Sequence, residues 1–211
     1  MSSSAALGPS SAGGQFPELI VFDCDMCLWS PEMYELHETP AEPVVGDLNG
    51  RGTGVVGVRS GRDVVRLFPG ALQALQDYAD GKFGENTRVA AASSADNASA
   101  VSNAYASLGR LEVLPGLTMK SLFERGFSEG FVGNLQIGRS GKLSSNKTTH
   151  FRELKKNCKI EWDKMVFFDD CNWGDNCATV ERGCPGVVTQ KTPNGLTYEE
   201  FNACLSKYAS K

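Results

Sequence analysis

The hydrophobic positions of this chain form short unbroken runs, separated by longer segments with helical spacing. Four runs do not alternate with polar residues, which is typical of strands buried on both faces of a parallel sheet: 19–22, 89–92, 165–168 and 186–189. Helical spacing occurs at 69–78, at 98–108 before Gly109, from Lys147 onward, and after the capping box of Thr197 and Glu200. Strands that alternate with helices predict an α/β fold, with a parallel sheet flanked by helices.

Two segments interrupt this rhythm. Within residues 30–68, a turn-rich stretch from Asp47 to Gly52 separates two pairs of valines, which predicts a hairpin after the first strand. Such an insert could cover the carboxyl edge of the sheet as a small cap. Residues 111–146 are glycine-rich and poorly periodic, and we predict a long connection there with at most short helices. We expect a flexible tail over 1–16 and a single domain over 17–211.

Composition and charge narrow the function classes. The chain has 211 residues, of which 21 are basic and 25 acidic, and its net charge of −4 gives no basic footprint for nucleic acid. No apolar run approaches the roughly 20 residues that cross a bilayer, and the N-terminus has no export signal. We therefore expect a cytoplasmic protein without nucleic-acid or membrane partners. Its seven cysteines follow no regular framework and are expected to be reduced.

Polar residues follow three of the four apolar runs. They are Asp23, Cys24 and Asp25 after the first run, Ser93 and Ser94 after the second, and Asp169 and Asp170 after the third. Because ligands bind outside the carboxyl ends of parallel strands, these side chains outline a site at one edge of the sheet. Converging carboxylates repel one another unless a cation neutralises them, and Mg²⁺ prefers oxygen ligands. We therefore predict a Mg²⁺ site.

This set of groups fits metal-assisted phosphoryl transfer. One aspartate beside the metal can attack phosphorus, and a neighbouring carboxyl can protonate the leaving oxygen and later deprotonate water. The hydroxyl of Ser93 and the cation of Lys147, at a predicted helix N-terminus, can hold the phosphoryl oxygens. The predicted substrate is a small phosphomonoester or a phosphoprotein.

The order of these motifs resembles that of phosphatases of the haloacid dehalogenase superfamily, in which D-x-D, Ser/Thr, Lys and an acidic pair follow one another. The flanking residues resemble more narrowly the eukaryotic magnesium-dependent phosphatase family, in segments 22–29 (FDCDMCLW), 89–93 (VAAAS), 147–151 (KTTHF) and 165–170 (MVFFDD). The resemblance implies a Rossmann-like fold, Mg²⁺ as cofactor and an aspartyl-phosphate intermediate. It also implies activity on phosphotyrosyl proteins or phosphosugars.

The resemblance gives the four aspartates distinct roles. Asp23 would be the nucleophile and a metal ligand. Asp25 would be the general acid and base, and would contact the metal through its backbone carbonyl. Asp170 would complete the metal site with Asp169 as its support, although the motif alone leaves open which of the two is the ligand.

The remaining motif residues would bind the substrate. Ser93 and Lys147 would hold the phosphoryl group, assisted by backbone N–H groups around Cys24, and Ser94 is a further candidate beside Ser93. Four positions depart from the family pattern: Cys27 replaces Thr, Ser94 replaces Arg, and Cys171 and Trp173 stand where polar and basic residues are commoner. The insert over 30–68 is also longer than the family's, so substrate choice does not carry over.

Three other functions compete with this one. Cys24 and Cys27 form a C-x-x-C that could bind zinc or act in redox chemistry, but no second such pair supplies further zinc ligands. A receiver domain uses similar residues, but its acidic pair precedes the phosphorylated aspartate in the chain. A catalytically weakened phosphate-binding protein on the same fold would retain these motifs, and the departures at Cys27 and Ser94 are the grounds for it.

Overall fold

Five parallel strands form the centre of the computed structural model, which describes residues 16–211. The predicted tail over 1–16 lies outside the described residues, except for Phe16. The strands are, in chain order, β1 (Leu19–Phe22), β2 (Trp29–Ser30), β3 (Glu42–Asp47), β4 (Thr53–Ser60), β5 (Asp63–Leu67), β6 (Arg88–Ser93), β7 (Glu112–Leu114), β8 (Leu117–Thr118), β9 (Leu135–Ile137), β10 (Met165–Asp169) and β11 (Val188–Lys191). The α-helices are α1 (Pro69–Ala79), α2 (Ala98–Leu108), α3 (Met119–Glu124), α4 (Lys147–Cys158), α5 (Asn176–Gly183) and α6 (Tyr198–Ala209).

The parallel sheet has the strand order β11-β10-β1-β6-β9. In the central strand β1, Ile20 and Phe22 pack into one apolar core with residues of α1, α2 and α6. Leu19 and Val21 point to the opposite face and pack into a second core with residues of α4 and α5. Burial on both faces explains the unbroken apolar runs, and it confirms the predicted α/β fold with helices on both sides of the sheet.

Local sequence signals set the ends of the helices. Pro69 occupies the first turn of α1, where its missing N–H costs no hydrogen bond. The capping box of α6 is present, because the Thr197 side chain accepts from the N–H of Glu200 and the Glu200 carboxylate accepts from the N–H of Thr197. The predicted strand over 186–189 is displaced by two residues and runs from Val188 to Lys191.

The insert after β1 is larger than a hairpin. β3 and β4 form the predicted antiparallel pair, with Asn49 and Gly50 at positive φ in the turn between them. β5 then pairs with β4, and β2 pairs with β5, which gives a four-stranded antiparallel sheet in the order β2-β5-β4-β3. The sequence prediction missed β5 and β2, because they are short and their apolar residues are not strictly alternating.

The connection over 111–146 contains more structure than predicted. β7 and β8 form a small antiparallel pair, α3 follows, and β9 then joins the parallel sheet beside β6. β9 has three residues, all of them buried, so its apolar pattern is too short to distinguish from a loop. Its importance for the site is that it leads directly into the loop before α4.

Candidate active site

Three adjacent strand ends bring the predicted aspartates and serine together. Asp23 directly follows β1, whereas Ser93 and Asp169 are the last residues of β6 and β10, the two neighbours of β1. The Asp23 N–H donates to the Phe168 carbonyl at 2.8 Å, so the chain leaves β1 still in register with β10. The parallel topology therefore places these side chains at the same edge of the sheet, as the sequence predicted.

Lys147 reaches this edge from the first turn of α4. Its ammonium donates to Asp23 Oδ1 at 2.7 Å and to the Ala92 carbonyl at 2.5 Å, and lies 3.3 Å from Asp169 Oδ2. Its side chain is 2% exposed. Burial alone lowers the pKa of Lys147, but the negative charges of Asp23 and Asp169 outweigh burial and raise it. Lys147 is therefore a fixed, protonated cation in the floor of the site.

The two oxygens of Asp23 have different surroundings. Oδ1 accepts from the Lys147 ammonium and from the N–H of Cys24 at 2.8 Å. Oδ2 accepts no hydrogen bond from residues 16–211. Burial raises the pKa of Asp23 well above its usual range, with Lys147 opposing the effect and Asp169 adding to it. A second positive charge at Oδ2 would lower this pKa and hold the group as a carboxylate.

Asp169 and Asp170 sit next to each other but are engaged differently. Asp169 is fully buried, and its carboxylate accepts from the Cys171 N–H at 2.9 Å and from the Asn176 amide at 3.0 and 3.2 Å. Asp170 accepts one long bond of 3.3 Å from the Asn172 N–H, and burial raises its pKa, with the charge of Asp169 as the next cause. Asp170 thus keeps more of its ligand capacity than Asp169.

One oxygen from each of Asp23, Asp169 and Asp170 lies within 4.8 Å of the others, and all three residues are buried. Among residues 16–211 this is the only group of acidic, histidine or cysteine side chains with such spacing. Three carboxylates at this distance suit a hard divalent cation, because such ions take several oxygen ligands. The residues present therefore fit Mg²⁺.

Asp25 stands apart from this cluster. Its Oδ1 accepts from the Trp29 indole N–H at 2.7 Å, and its Oδ2 accepts from the Met33 N–H at 2.9 Å. Trp29 lies directly before the insert, and Met33 lies near its start. Burial raises the pKa of Asp25, and these two hydrogen bonds oppose the rise. The carboxyl group is thus oriented by the insert, and burial favours its protonated form.

A buried histidine fixes the end of β6, where Ser93 lies. His150 on α4 is fully buried, and its Nε2 lies 3.2 Å from the Ser93 carbonyl and 3.1 Å from the Gly138 carbonyl. Burial lowers the His150 pKa to about 4, with the charge of Lys147 as the next cause. The imidazole is neutral at pH 7, and with two carbonyls as partners its Nε2 carries the proton. It therefore ties β6 to the loop after β9.

The side-chain hydroxyl of Ser94 and the thiols of Cys24 and Cys27 are buried near the site. The hydroxyl oxygen of Ser94 is buried and has no hydrogen-bond partner among the described residues. Cys24 and Cys27 are fully buried free thiols, and burial raises the pKa of each well above its usual range. The N–H of Cys24 is directed at Asp23, so its contact with a phosphoryl group stays a prediction.

A pocket of about 450 Å³ opens above these residues. Its lining includes Asp23, Asp25, Ser93, Ser94, Lys147 and Asp170 from the prediction. It also includes residues that the sequence did not single out for the site, among them Glu32, Tyr34, Asp96, Arg139 and Asn176. Arg139 follows Gly138 and makes no hydrogen bond or ion pair with another residue of the described chain. No sequence pattern could have found it, because its loop has neither helical nor strand spacing.

Comparison with known proteins assigns the chain to a family. The model of the Acid Phosphatase family matches residues 15–211. The chain belongs to this family. The resemblance to phosphatases of the haloacid dehalogenase type, predicted from the motifs, is therefore confirmed. The family match does not test which residues act, which ester is cleaved or whether an aspartyl-phosphate forms.

Two further comparisons add little. Comparison with curated protein sequences gives no match. Among solved structures, the N-terminal part of the protein BF1531 from Bacteroides fragilis, which contains a phosphatase domain complexed with Mg, is similar at 18% identity and a TM-score of 0.45. The match covers 92% of this chain and 40% of that one.

The part of the chain that the structure describes has no helix long and apolar enough to cross a membrane. The expected cytoplasmic location stays a prediction.

Proposed function

We propose that this phosphatase hydrolyses phosphomonoesters with Mg²⁺ through an aspartyl-phosphate on Asp23. The observation that carries the proposal is the arrangement around Asp23, whose Oδ1 is held by Lys147 and whose carboxylate lies within 4.8 Å of those of Asp169 and Asp170. A buried nucleophile with a fixed cation and a candidate cation site beside it is suited to attack on a dianionic phosphoryl group.

Asp23, Asp170 and the backbone carbonyl of Asp25 would hold Mg²⁺, with Asp169 supporting the site. When bound, Mg²⁺ neutralises these carboxylates and the phosphoryl oxygens. Asp169 is better suited to supporting the metal site than to binding the ion, because its oxygens already contact Cys171, Asn176 and Lys147. Lys147 and the hydroxyls of Ser93 and Ser94 would bind phosphoryl oxygens, and the unpartnered hydroxyl of Ser94 is available for this contact.

The chain's own groups can carry both steps. A carboxylate oxygen of Asp23 forms a bond to phosphorus while the ester P–O bond breaks, and the leaving oxygen takes a proton from Asp25. Asp25, now a carboxylate, accepts a proton from water as that water attacks phosphorus. The bond between phosphorus and Asp23 then breaks, phosphate leaves, and Asp25 is again protonated. Its raised pKa favours the form that begins the cycle.

We also propose that residues 17–211 act as one domain, with 30–68 as a small cap. Asp25 is oriented by Met33 of this insert and by Trp29 directly before it, so the cap would help to set the position of the general acid. The insert contributes only Glu32 and Tyr34 to the pocket lining, so we expect it to leave room for bulky esters. Free phosphomonoesters and phosphotyrosyl proteins both remain within this proposal.

The test is hydrolysis of p-nitrophenyl phosphate by the purified protein. We expect turnover with Mg²⁺, loss of turnover with EDTA, and at least a thousandfold loss with Asp23→Asn, since nucleophile removal typically costs about that much or more. Asp63→Asn, at an exposed position on β5, is the matched control. Activity that persists without metal and in Asp23→Asn would contradict the mechanism. Phosphate binding without turnover would support the weakened binding protein instead.

A further inference from the structure

Two exposed aromatic residues face each other at the mouth of the pocket. Trp173 lies in the loop between β10 and α5, and Tyr34 lies in the insert, in the 3₁₀ helix Met33–Glu35. Their side chains are 77% and 47% exposed, and both line the same pocket as Asp23. Their rings meet edge to face, with centroids 6.3 Å apart and an interplanar angle of 73°. An exposed aromatic pair beside a reaction centre offers ring surface to the bound substrate.

The tryptophan is held in place although it is exposed. Its indole N–H donates to both carboxylate oxygens of Glu32, at 3.2 and 3.1 Å. The hydrogen bonds use only the edge of the indole ring, and the residue remains 77% exposed. Glu32 thereby fixes the ring across the gap between the insert and the core, and it places a carboxylate next to that ring.

The charge around this pair is negative. The pocket is lined by the carboxylates of Asp23, Asp25, Glu32, Asp96 and Asp170, against the cations Lys147 and Arg139. The negative charges of Asp23 and Asp170 are compensated by Lys147 and by the proposed Mg²⁺. Glu32 and Asp96 make no ion pair within residues 16–211. The lining thus has five carboxylates against two cations, and Glu32, the carboxylate that contacts Trp173, has no cationic partner among the described residues.

We propose that Trp173, Tyr34 and Glu32 form a subsite for an organic cation carried by the leaving group of the substrate. Aromatic faces bind cations through their quadrupole, and a neighbouring carboxylate adds charge attraction. An anionic leaving group would meet Glu32 and Asp96, and a neutral one would gain the ring contact without the charge. The substrate class is a phosphomonoester of an amino alcohol or a quaternary ammonium alcohol. This inference rests on the proposed function, because it places the ester phosphate at Asp23.

The test uses two esters that match in size and shape but differ in charge: phosphocholine and 3,3-dimethylbutyl phosphate. We expect the wild-type protein with Mg²⁺ to hydrolyse phosphocholine with a kcat/KM roughly tenfold higher than the isostere, as a partly exposed cation–π contact would give. Equal kcat/KM values would overturn the proposal. A preference for the neutral ester would also overturn it, and would assign an apolar leaving group to this site.

Variants then show whether the aromatic pair causes the preference. Trp173→Leu should reduce the ratio of the two kcat/KM values to below about twofold, Trp173→Phe should keep most of it, and Glu32→Gln should lower it severalfold. Phe16→Leu, at an exposed aromatic outside the pocket, should leave the ratio unchanged. Because a ratio cancels any general loss of activity, a damaged fold does not imitate the expected result. An unchanged ratio in Trp173→Leu would contradict the assignment.

The subsite and the catalytic mechanism can fail separately. Hydrolysis of p-nitrophenyl phosphate without discrimination between the two esters would remove the subsite and leave the mechanism intact. If no ester is hydrolysed, calorimetry on the wild-type protein with Mg²⁺ gives the Kd of each ester. We expect phosphocholine to bind roughly tenfold more tightly than the isostere. Equal Kd values would overturn the subsite even in a protein without catalysis.

Discussion

The floor and the rim of the pocket are built in opposite ways. The floor, which consists of Asp23, Ser93, Lys147, Asp169 and Asp170, is buried and comes from strand ends and the first turn of α4. The rim, which consists of Glu32, Tyr34, Asp96 and Trp173, is at least partly exposed and comes entirely from loops and the insert. Asp169 and Lys147 each contact several neighbours in the floor, whereas Trp173 is held by Glu32 and an edge contact with Tyr34.

This difference separates the chemistry from the choice of substrate. Buried charges are costly unless paired, so each floor residue depends on the others, and a change in one disturbs the set. Exposed rim residues carry little of the fold and can vary without unfolding the protein. We therefore expect floor substitutions to reduce activity on every ester and rim substitutions to change the ratio between esters.

After Asp23→Asn, the largest expected effect is at Lys147. Lys147→Met removes the cation held between Asp23 and Asp169, and we expect at least a hundredfold loss of kcat on p-nitrophenyl phosphate, because one preorganised charge contributes about that much. Steady-state kinetics at saturating Mg²⁺ measures it. Lys142→Met, at an exposed lysine before the same helix, is the control and should retain activity. A loss below tenfold would show that the floor does not depend on this cation.

A second prediction separates the two adjacent aspartates. Asp170→Asn should weaken Mg²⁺ binding by at least about tenfold, and Asp169→Asn should weaken it less, because Asp169 acts through its hydrogen bonds rather than as a ligand. Calorimetric titration with Mg²⁺ measures both affinities. A larger loss in Asp169→Asn than in Asp170→Asn would reverse the assignment of ligand and support.

A third prediction concerns pH and stability. The His150 pKa is about 4 in the folded chain against 6.5 unfolded, so the unfolded chain binds this proton more tightly. The stabilisation is present above pH 6.5 and is lost as the pH falls towards 4, with a loss of about 2 kcal/mol expected by pH 5. Urea unfolding of the wild type and of His150→Gln at pH 7.5 and 5 measures it. The same pH dependence in both proteins would contradict the burial of a neutral His150.

The smallest expected effect is at the C-x-x-C. Because Cys24 and Cys27 are buried thiols outside the carboxylate cluster, Cys24→Ala/Cys27→Ala should release no zinc and should keep kcat within about fivefold. Metal analysis of the purified protein and the p-nitrophenyl phosphate assay measure these outcomes. Stoichiometric zinc in the wild type that is absent from the variant would establish the competing zinc function.

The floor could be predicted from the sequence, and the rim could not. Asp23, Ser93 and Asp169 stand at the ends of apolar runs, and parallel strand order brings such ends to one edge whatever the loops do. The motif order and the predicted helix start identify Lys147. Glu32 and Arg139 lie in irregular segments where no periodicity fixes direction, and β9 was too short to recognise. The contacts of His150 could not be predicted either, because its carbonyl partners, Ser93 and Gly138, come from other segments of the chain.

The central claim is that Asp23 carries the phosphoryl group between the two steps. Rapid acid quench of the protein during turnover of a phosphate ester with Mg²⁺, followed by mass spectrometry of its peptides, tests this directly. We predict a phosphoryl adduct on the peptide that contains Asp23 and none in Asp23→Asn. With p-nitrophenyl phosphate, whose leaving group departs without a proton, we predict more adduct in Asp25→Asn, which lacks the base for the second step. Steady turnover without any adduct, or an adduct on another residue, would contradict the account.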